Sequence, residues 1–153
     1  MAKVDQFMED ISTHTNLMLD TNTIIYFLDG VPEFVELLTP LFEMIEGGHL
    51  NVAVSVISEA ELLVKPYRSG DTDAIEAVML FLNEFPNITI IPVSREISRK
   101  AAEIRANLDT RLPDAIILAT ALNAQSDLLL GNDLKLMHKA TTLLPTIILN
   151  DYI

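Results

Sequence analysis

Apolar residues along this chain fall alternately into short continuous runs and into stretches spaced at three and four, and that alternation lays out the elements. Residues 1–15 are mostly polar, with Phe7, Met8 and Ile11 on one side of a short helix or loose arm. The first apolar run, Asn16 to Asp20, reads as a strand, and a helical run follows from Thr21-Asn22 to Asp29. Pro32 opens a second helix, in which Phe34, Leu37, Leu38, Leu41, Phe42 and Ile45 recur at helical spacing. Gly47-Gly48 ends it. Leu50 to Val54 forms a second strand, and the helix beginning at Ser55 is expected to stop at about Lys65, before Pro66.

Ile75, Val78, Met79 and Leu82 mark a further helix closed by Pro86, and Ile88 to Pro92 reads as a third strand. A charged helix runs from about Ser94 to Leu108. The helix opening at Pro113 is apolar almost all round, through Ile116, Ile117, Leu118, Ala119, Ala121 and Leu122, which predicts a buried element. Asp127 to Leu130 and Thr146 to Leu149 complete the strands. Strands that are continuously apolar and separated by helices predict a parallel sheet covered on both faces. The fold class is α/β, a three-layer α/β/α sandwich with a mostly parallel central sheet of about five strands. No repeat, low-complexity tract or linker divides residues 1–153, so a single domain is expected, with 1–15 as its arm.

Composition narrows the chemistry. The chain has no cysteine, which excludes disulfides, thiolate zinc sites and cysteine nucleophiles. His14, His49 and His138 lie in unrelated segments without ligand spacing. The donors left are carboxylates, which favour hard cations such as magnesium and manganese. No apolar stretch reaches the ~18 residues of a membrane span, and the polar start is unlike a secretory signal, so a cytoplasmic protein is expected. The net charge of −12 is localised: residues 1–90 carry 3 basic and 15 acidic residues, whereas 91–153 carry 7 of each. Such a surface repels nucleic acid, whose non-specific affinity rests on phosphate neutralisation. Contact with nucleic acid would have to be local, through metals and a few arginines.

Helices of right-handed βαβ units run antiparallel to their strands, so helix starts and strand ends share the sheet's carboxyl edge, where ligands of open α/β folds bind. Asp20 ends the first strand, Glu61 lies in the first turns after the second, Asp114 opens the buried helix, and Asp133 follows the fourth strand after Gly131-Asn132. Each also has a purely structural role open to it. Asp20 can cap the helix it precedes. Ser58-Glu-Ala-Glu61 fits a capping box, with Glu61 reaching back to the Ser58 amide. Asp114 and Asp133 lie near helix starts, where the macrodipole favours acids. Four acids at one edge repel one another, however, and a metal is the natural partner that keeps them ionised.

The segments Leu-Asp20-Thr-Asn, Ser58-Glu-Ala-Glu61-Leu, Pro113-Asp114-Ala-Ile-Ile-Leu-Ala-Thr-Ala and Gly131-Asn-Asp133 stand in the order and spacing of the PIN domain. The chain resembles that family over about residues 16–150, most of all the toxin ribonucleases of toxin–antitoxin pairs. The resemblance implies Asp20, Glu61, Asp114 and Asp133 as catalytic ligands of one or two Mg2+ or Mn2+ ions, with Thr21, Asn22 and Asn132 in support. It implies an endoribonuclease acting on RNA, a homodimer and, in toxins, an antitoxin that blocks the cleft. Glu61 rather than Glu59 matches the family's acid directly before leucine.

Arg95, Arg99, Lys100, Arg105 and Arg111 gather half of the ten basic residues within 17 positions. They read as a solvated face pairing with Glu96 and Glu103, or as a ridge following a phosphate backbone. Arg111, three residues before Asp114, is the best placed for a substrate phosphate, with Lys135 and Lys139 on the far side. A phosphatase of the haloacid-dehalogenase type is disfavoured because Asn22 stands where its second aspartate is required. A receiver domain is disfavoured because the third strand ends in Ile91-Pro92-Val93. The remaining rival is a PIN-like module that no longer cleaves and serves interaction or regulation, which the −12 charge motivates.

Overall fold

The computed structural model describes residues 1–153. Five strands, β1 (Asn16–Leu19), β2 (Asn51–Ser55), β3 (Ile88–Ile91), β4 (Leu128–Gly131) and β5 (Thr146–Ile148), form one sheet in the order β3-β2-β1-β4-β5. All four pairings are parallel. The helices are α1 (Lys3–Ser12), α2 (Thr21–Asp29), α3 (Pro32–Glu46), α4 (Val56–Ser69), α5 (Thr72–Glu84), α6 (Arg95–Leu108), α7 (Leu112–Asn123) and α8 (Leu134–Ala140), with a short 3-10 turn at Leu149–Tyr152.

Handedness dictates the layers. The chain steps from β1 through β2 to β3 in one direction, so right-handed crossovers place α2–α5 on one face. It then returns past β1 to β4 and β5, which places α6–α8 on the other face. The core records this division. Leu17, Leu19, Val52, Val54, Leu128 and Leu130 pack with α1–α5, whereas Met18, Ala53 and Leu129, the alternate positions, pack with α6–α8. Phe27, Phe42, Phe81 and Phe85 form an aromatic cluster on the first face, with Phe27 and Phe42 stacked 3.8 Å apart. The expected three-layer sandwich is present.

The elements differ from expectation in detail. α1 is a regular helix that buries Phe7 and Ile11. α7 is buried along Ala115 and Ile117–Ala121, as its apolar sequence predicts. α4 does not stop before Pro66 but carries it to Ser69, where Gly70 closes it in a left-handed conformation at φ 65°. A proline in the last turn forfeits its own amide bond without disturbing the helix beyond it, so the breaker signal is weak there. The helix begins from Ser55, whose hydroxyl accepts from the Ile57 amide, so Ser58 is not its cap.

At the opposite, amino edge of the sheet, Asp127 ties β4 to β1. Its carboxylate accepts from the Thr15 amide at 3.0 Å, the Thr15 hydroxyl at 3.1 Å and the Asn16 amide at 3.3 Å, with His14 Nδ1 at 3.4 Å. Burial pushes the carboxyl up, but these donors and His14 outweigh it and leave the group below its ordinary value. A lowered carboxyl contributes stability that is present above the unfolded value and lost as pH falls through the folded one. Asp127→Ala should therefore lower unfolding free energy by roughly 1–3 kcal/mol at neutral pH. In urea titrations the gap to wild type should narrow as pH falls through and below the ordinary carboxylate value of 3.8; a gap that stays constant would contradict the assignment.

Candidate active site

Asp20 follows the last residue of the central strand, and its backbone amide donates to Leu130 O of β4 at 3.0 Å. The chain turns at this point into α2, and the Asp20 carboxylate accepts from the Thr21 amide at 2.8 Å, capping the helix. The residue is 6% exposed. Gly131 makes that position available, because a Cβ there would stand 3.0 Å from Asp20 Cβ and 3.3 Å from its Oδ2. β1 and β4 approach at the point where strand order reverses, and a side chain on Gly131 would fill the space that Asp20 occupies.

Glu61 reaches the same place from α4. Thr21 Oγ1 donates to Glu61 Oε1 at 2.6 Å and lies 2.7 Å from Ser58 Oγ. The single Thr21 proton is committed to the carboxylate, so the Ser58 hydroxyl donates to Thr21. The capping box that the sequence suggested is not formed. Glu61 is held by a buried threonine–serine pair instead, and Ser58, 0% exposed, is a supporting residue that the motif disguised. Ser58 and Glu61, three apart, share a helix face, which is the signal that identifies it. No corresponding hydrogen bond engages Glu59.

Asp114 and Asp133 complete the group. Asp114 sits in the first turn of α7, and Asp133 caps α8 by accepting from the Leu136 amide at 3.3 Å. Asn132 secures the turn before it, accepting from the Asn150 amide at 2.9 Å and donating to Tyr26 Oη at 3.4 Å. Asn22 is half-buried on the first turn of α2.

The four acids share one electrostatic environment. Asp20 is pushed up to about 6, first by burial and then by the fields of Asp114, Glu61 and Asp133, against the lowering effect of the Thr21 amide. All four are carboxylates and so supply the hard oxygen donors that Mg2+ and Mn2+ take. No three acidic or histidine side chains converge as a ready-made cage, however. The charge next to Asp114 is supplied by Arg111, whose Nε and Nη2 lie 3.1 and 3.2 Å from its two carboxylate oxygens. A cation therefore already stands beside the acidic cluster. The other members of the basic cluster separate: Lys100 pairs with Glu103 at 3.2 Å, Arg105 donates to Thr110 O, and Arg95 and Arg99 make no ion pair.

Fold and site together define a parallel α/β sandwich with an acidic cluster at the carboxyl edge of its two central strands. The PIN domain family model matches residues 17–141, and the chain belongs to the PIN-domain family. The VapBC2 structure from Rickettsia felis, bound to a promoter DNA fragment, superposes with a TM-score of 0.67 at 20% identity, over 88% of this chain and 98% of that one. A toxin–antitoxin complex from Klebsiella pneumoniae gives 0.65 at 22%, over 87% and 97%. FitAcB from Neisseria gonorrhoeae gives 0.65 at 21%, also over 87% and 97%. Among curated proteins none matches the chain.

The raised Asp20 carboxyl has a consequence for stability without metal. The folded state keeps a proton that the unfolded chain releases, so this group's contribution is most favourable below about pH 4 and is lost as pH rises through about 6. Asp20→Asn keeps the helix cap and removes the buried charge. The metal-free variant should gain on the order of 2 kcal/mol at neutral pH, a rise in melting temperature of roughly 4–8 °C. An unchanged or lower melting temperature in EDTA would contradict the buried-charge account.

Proposed function

We propose that this chain is a divalent-metal-dependent endoribonuclease and the toxin of a toxin–antitoxin pair. One observation carries the reading: a buried aspartate at the end of the central strand, surrounded by three further acids that three separate segments bring to it. Buried charge of one sign requires a compensating cation. Asp20, Glu61, Asp114 and Asp133 would hold one or two Mg2+ or Mn2+ ions. When bound, such an ion lowers the pKa of water and offsets charge developing on a phosphate.

The chain's own residues supply position. Thr21, fixed by Ser58, orients Glu61. Asn132 sets the turn from which Asp133 projects. Arg111, with its side chain 71% exposed, is the group able to take a substrate phosphate in bidentate fashion. No serine or histidine stands in position to act as a nucleophile, and a metal-assisted hydrolysis needs none.

The antitoxin reading draws on the likeness to toxin–antitoxin complexes and on one surface. A groove of about 550 Å3 runs between α2, α4 and α5, with Ile25, Leu28, Leu62 and Val78 in its lining and Glu61, Asp29 and Asp71 among its acids. A basic amphipathic segment of an antitoxin complements it and would extend to Glu61 itself. Pairing with such a segment gives the acidic surface a counterpart. The functional unit we propose is a homodimer, as in the family.

The rival reading, an interaction module without activity, draws on the −12 charge and the absence of a ready-made cage. Incubating purified protein with a mixed RNA pool separates the two. Cleavage should appear with Mn2+ or Mg2+, disappear in EDTA and be abolished in Asp114→Asn. Equal cleavage by that variant would place the activity elsewhere, and no cleavage together with no metal binding would favour the interaction module.

A further inference from the structure

We infer that Arg111 is a built-in counter-cation that occupies Asp114 until a divalent ion displaces it, so that ion entry releases Arg111 toward the substrate phosphate. The inference rests on the reading of Asp114 as a cation ligand.

The geometry of the pair is that of a cap. Both Asp114 oxygens accept from the guanidinium, at 3.1 and 3.2 Å, which commits the lone pairs an incoming ion would use. The Asp114 side chain is 13% exposed and that of Arg111 71%, so the arginine lies on the solvent side of the carboxylate it pairs with. Helix energetics do not explain the placement. Arg111 is the residue immediately before α7, where the macrodipole disfavours a cation. It is held there by Asp114 and, at longer range, by the fields of Glu61 and Asp133.

The backbone beneath the pair is fixed, which leaves the side chain as the moving part. Asp109 adopts a left-handed conformation at φ 52° to turn the chain from α6 toward α7. Lys139 Nζ donates to the Asp109 carbonyl at 2.7 Å, Arg105 donates to the Thr110 carbonyl, and Thr110 is buried. Two cations thus clamp a three-residue loop that ends in Arg111. An ion pair this open to water is weak. A divalent cation bound by several carboxylates exceeds it, and the freed guanidinium then stands on the solvent side of the cleft, where a phosphate must approach.

Two titrations on the full chain test this. Calorimetry with Mn2+ should show Arg111→Ala binding the ion roughly three- to tenfold more tightly than wild type. Nuclear magnetic resonance with Mg2+ should show the wild-type Arg111 Nε–H signal, assigned by its loss in Arg111→Lys, moving to the position of a free guanidinium at saturation. The second readout separates displacement from a general effect of removing positive charge. Equal or weaker Mn2+ binding by Arg111→Ala overturns the inference while the metal site stands. So does an Arg111 signal that stays in place while calorimetry records a bound ion. Wild-type protein that binds neither ion overturns the metal site and the inference together.

Discussion

Asp20 combines two demands that conflict. It caps α2 at the end of the central strand, and it does so at 6% exposure among three other carboxylates. A carboxylate so placed is costly to ionise, and the surrounding structure is arranged around that cost. Gly131 gives it room, Thr21 donates to it through the backbone, and the nearest cation sits on Asp114 rather than on Asp20. The four acids therefore form an electrostatically uncompensated group, which the divalent cation we propose would complete.

Strand order does the assembling. Because the chain builds outward from β1 to β3 and then returns to place β4 on the other side of β1, the two strand ends carrying Asp20 and Asp133 lie side by side. Helices from opposite layers contribute the others, Glu61 from α4 and Asp114 from α7. Residues separated by more than a hundred positions meet without any loop of unusual length. The layers also explain the charge distribution: the acid-rich first half supplies the groove beside Glu61, and the neutral second half supplies Arg111 and the clamp beneath it.

Much of this was legible in the sequence because it depends on periodicity and chain order. The apolar runs gave all five strands, the near-uniform apolarity of Ile116–Leu122 gave a buried helix, and parallel topology alone put four acids at one edge. What was not legible depends on side-chain choice among local options. Ser58 reads as a cap in the sequence, and only the position of α2 against α4 makes it the buried partner of Thr21. Pro66 reads as a stop, yet its place in a final turn lets α4 continue. Arg111 reads as a phosphate contact, and the structure shows it first as the partner of Asp114. The role of Gly131 depends on a close approach across two strands, which spacing along one chain does not reveal.

Crystals of the protein equilibrated with Mn2+ and measured for anomalous scattering test the central claim most directly. The account predicts an anomalous peak bounded by the carboxylates of Asp20, Glu61, Asp114 and Asp133, with the Arg111 guanidinium turned away from Asp114. A cleft without a peak at saturating Mn2+, with Arg111 still seated on Asp114, would contradict it.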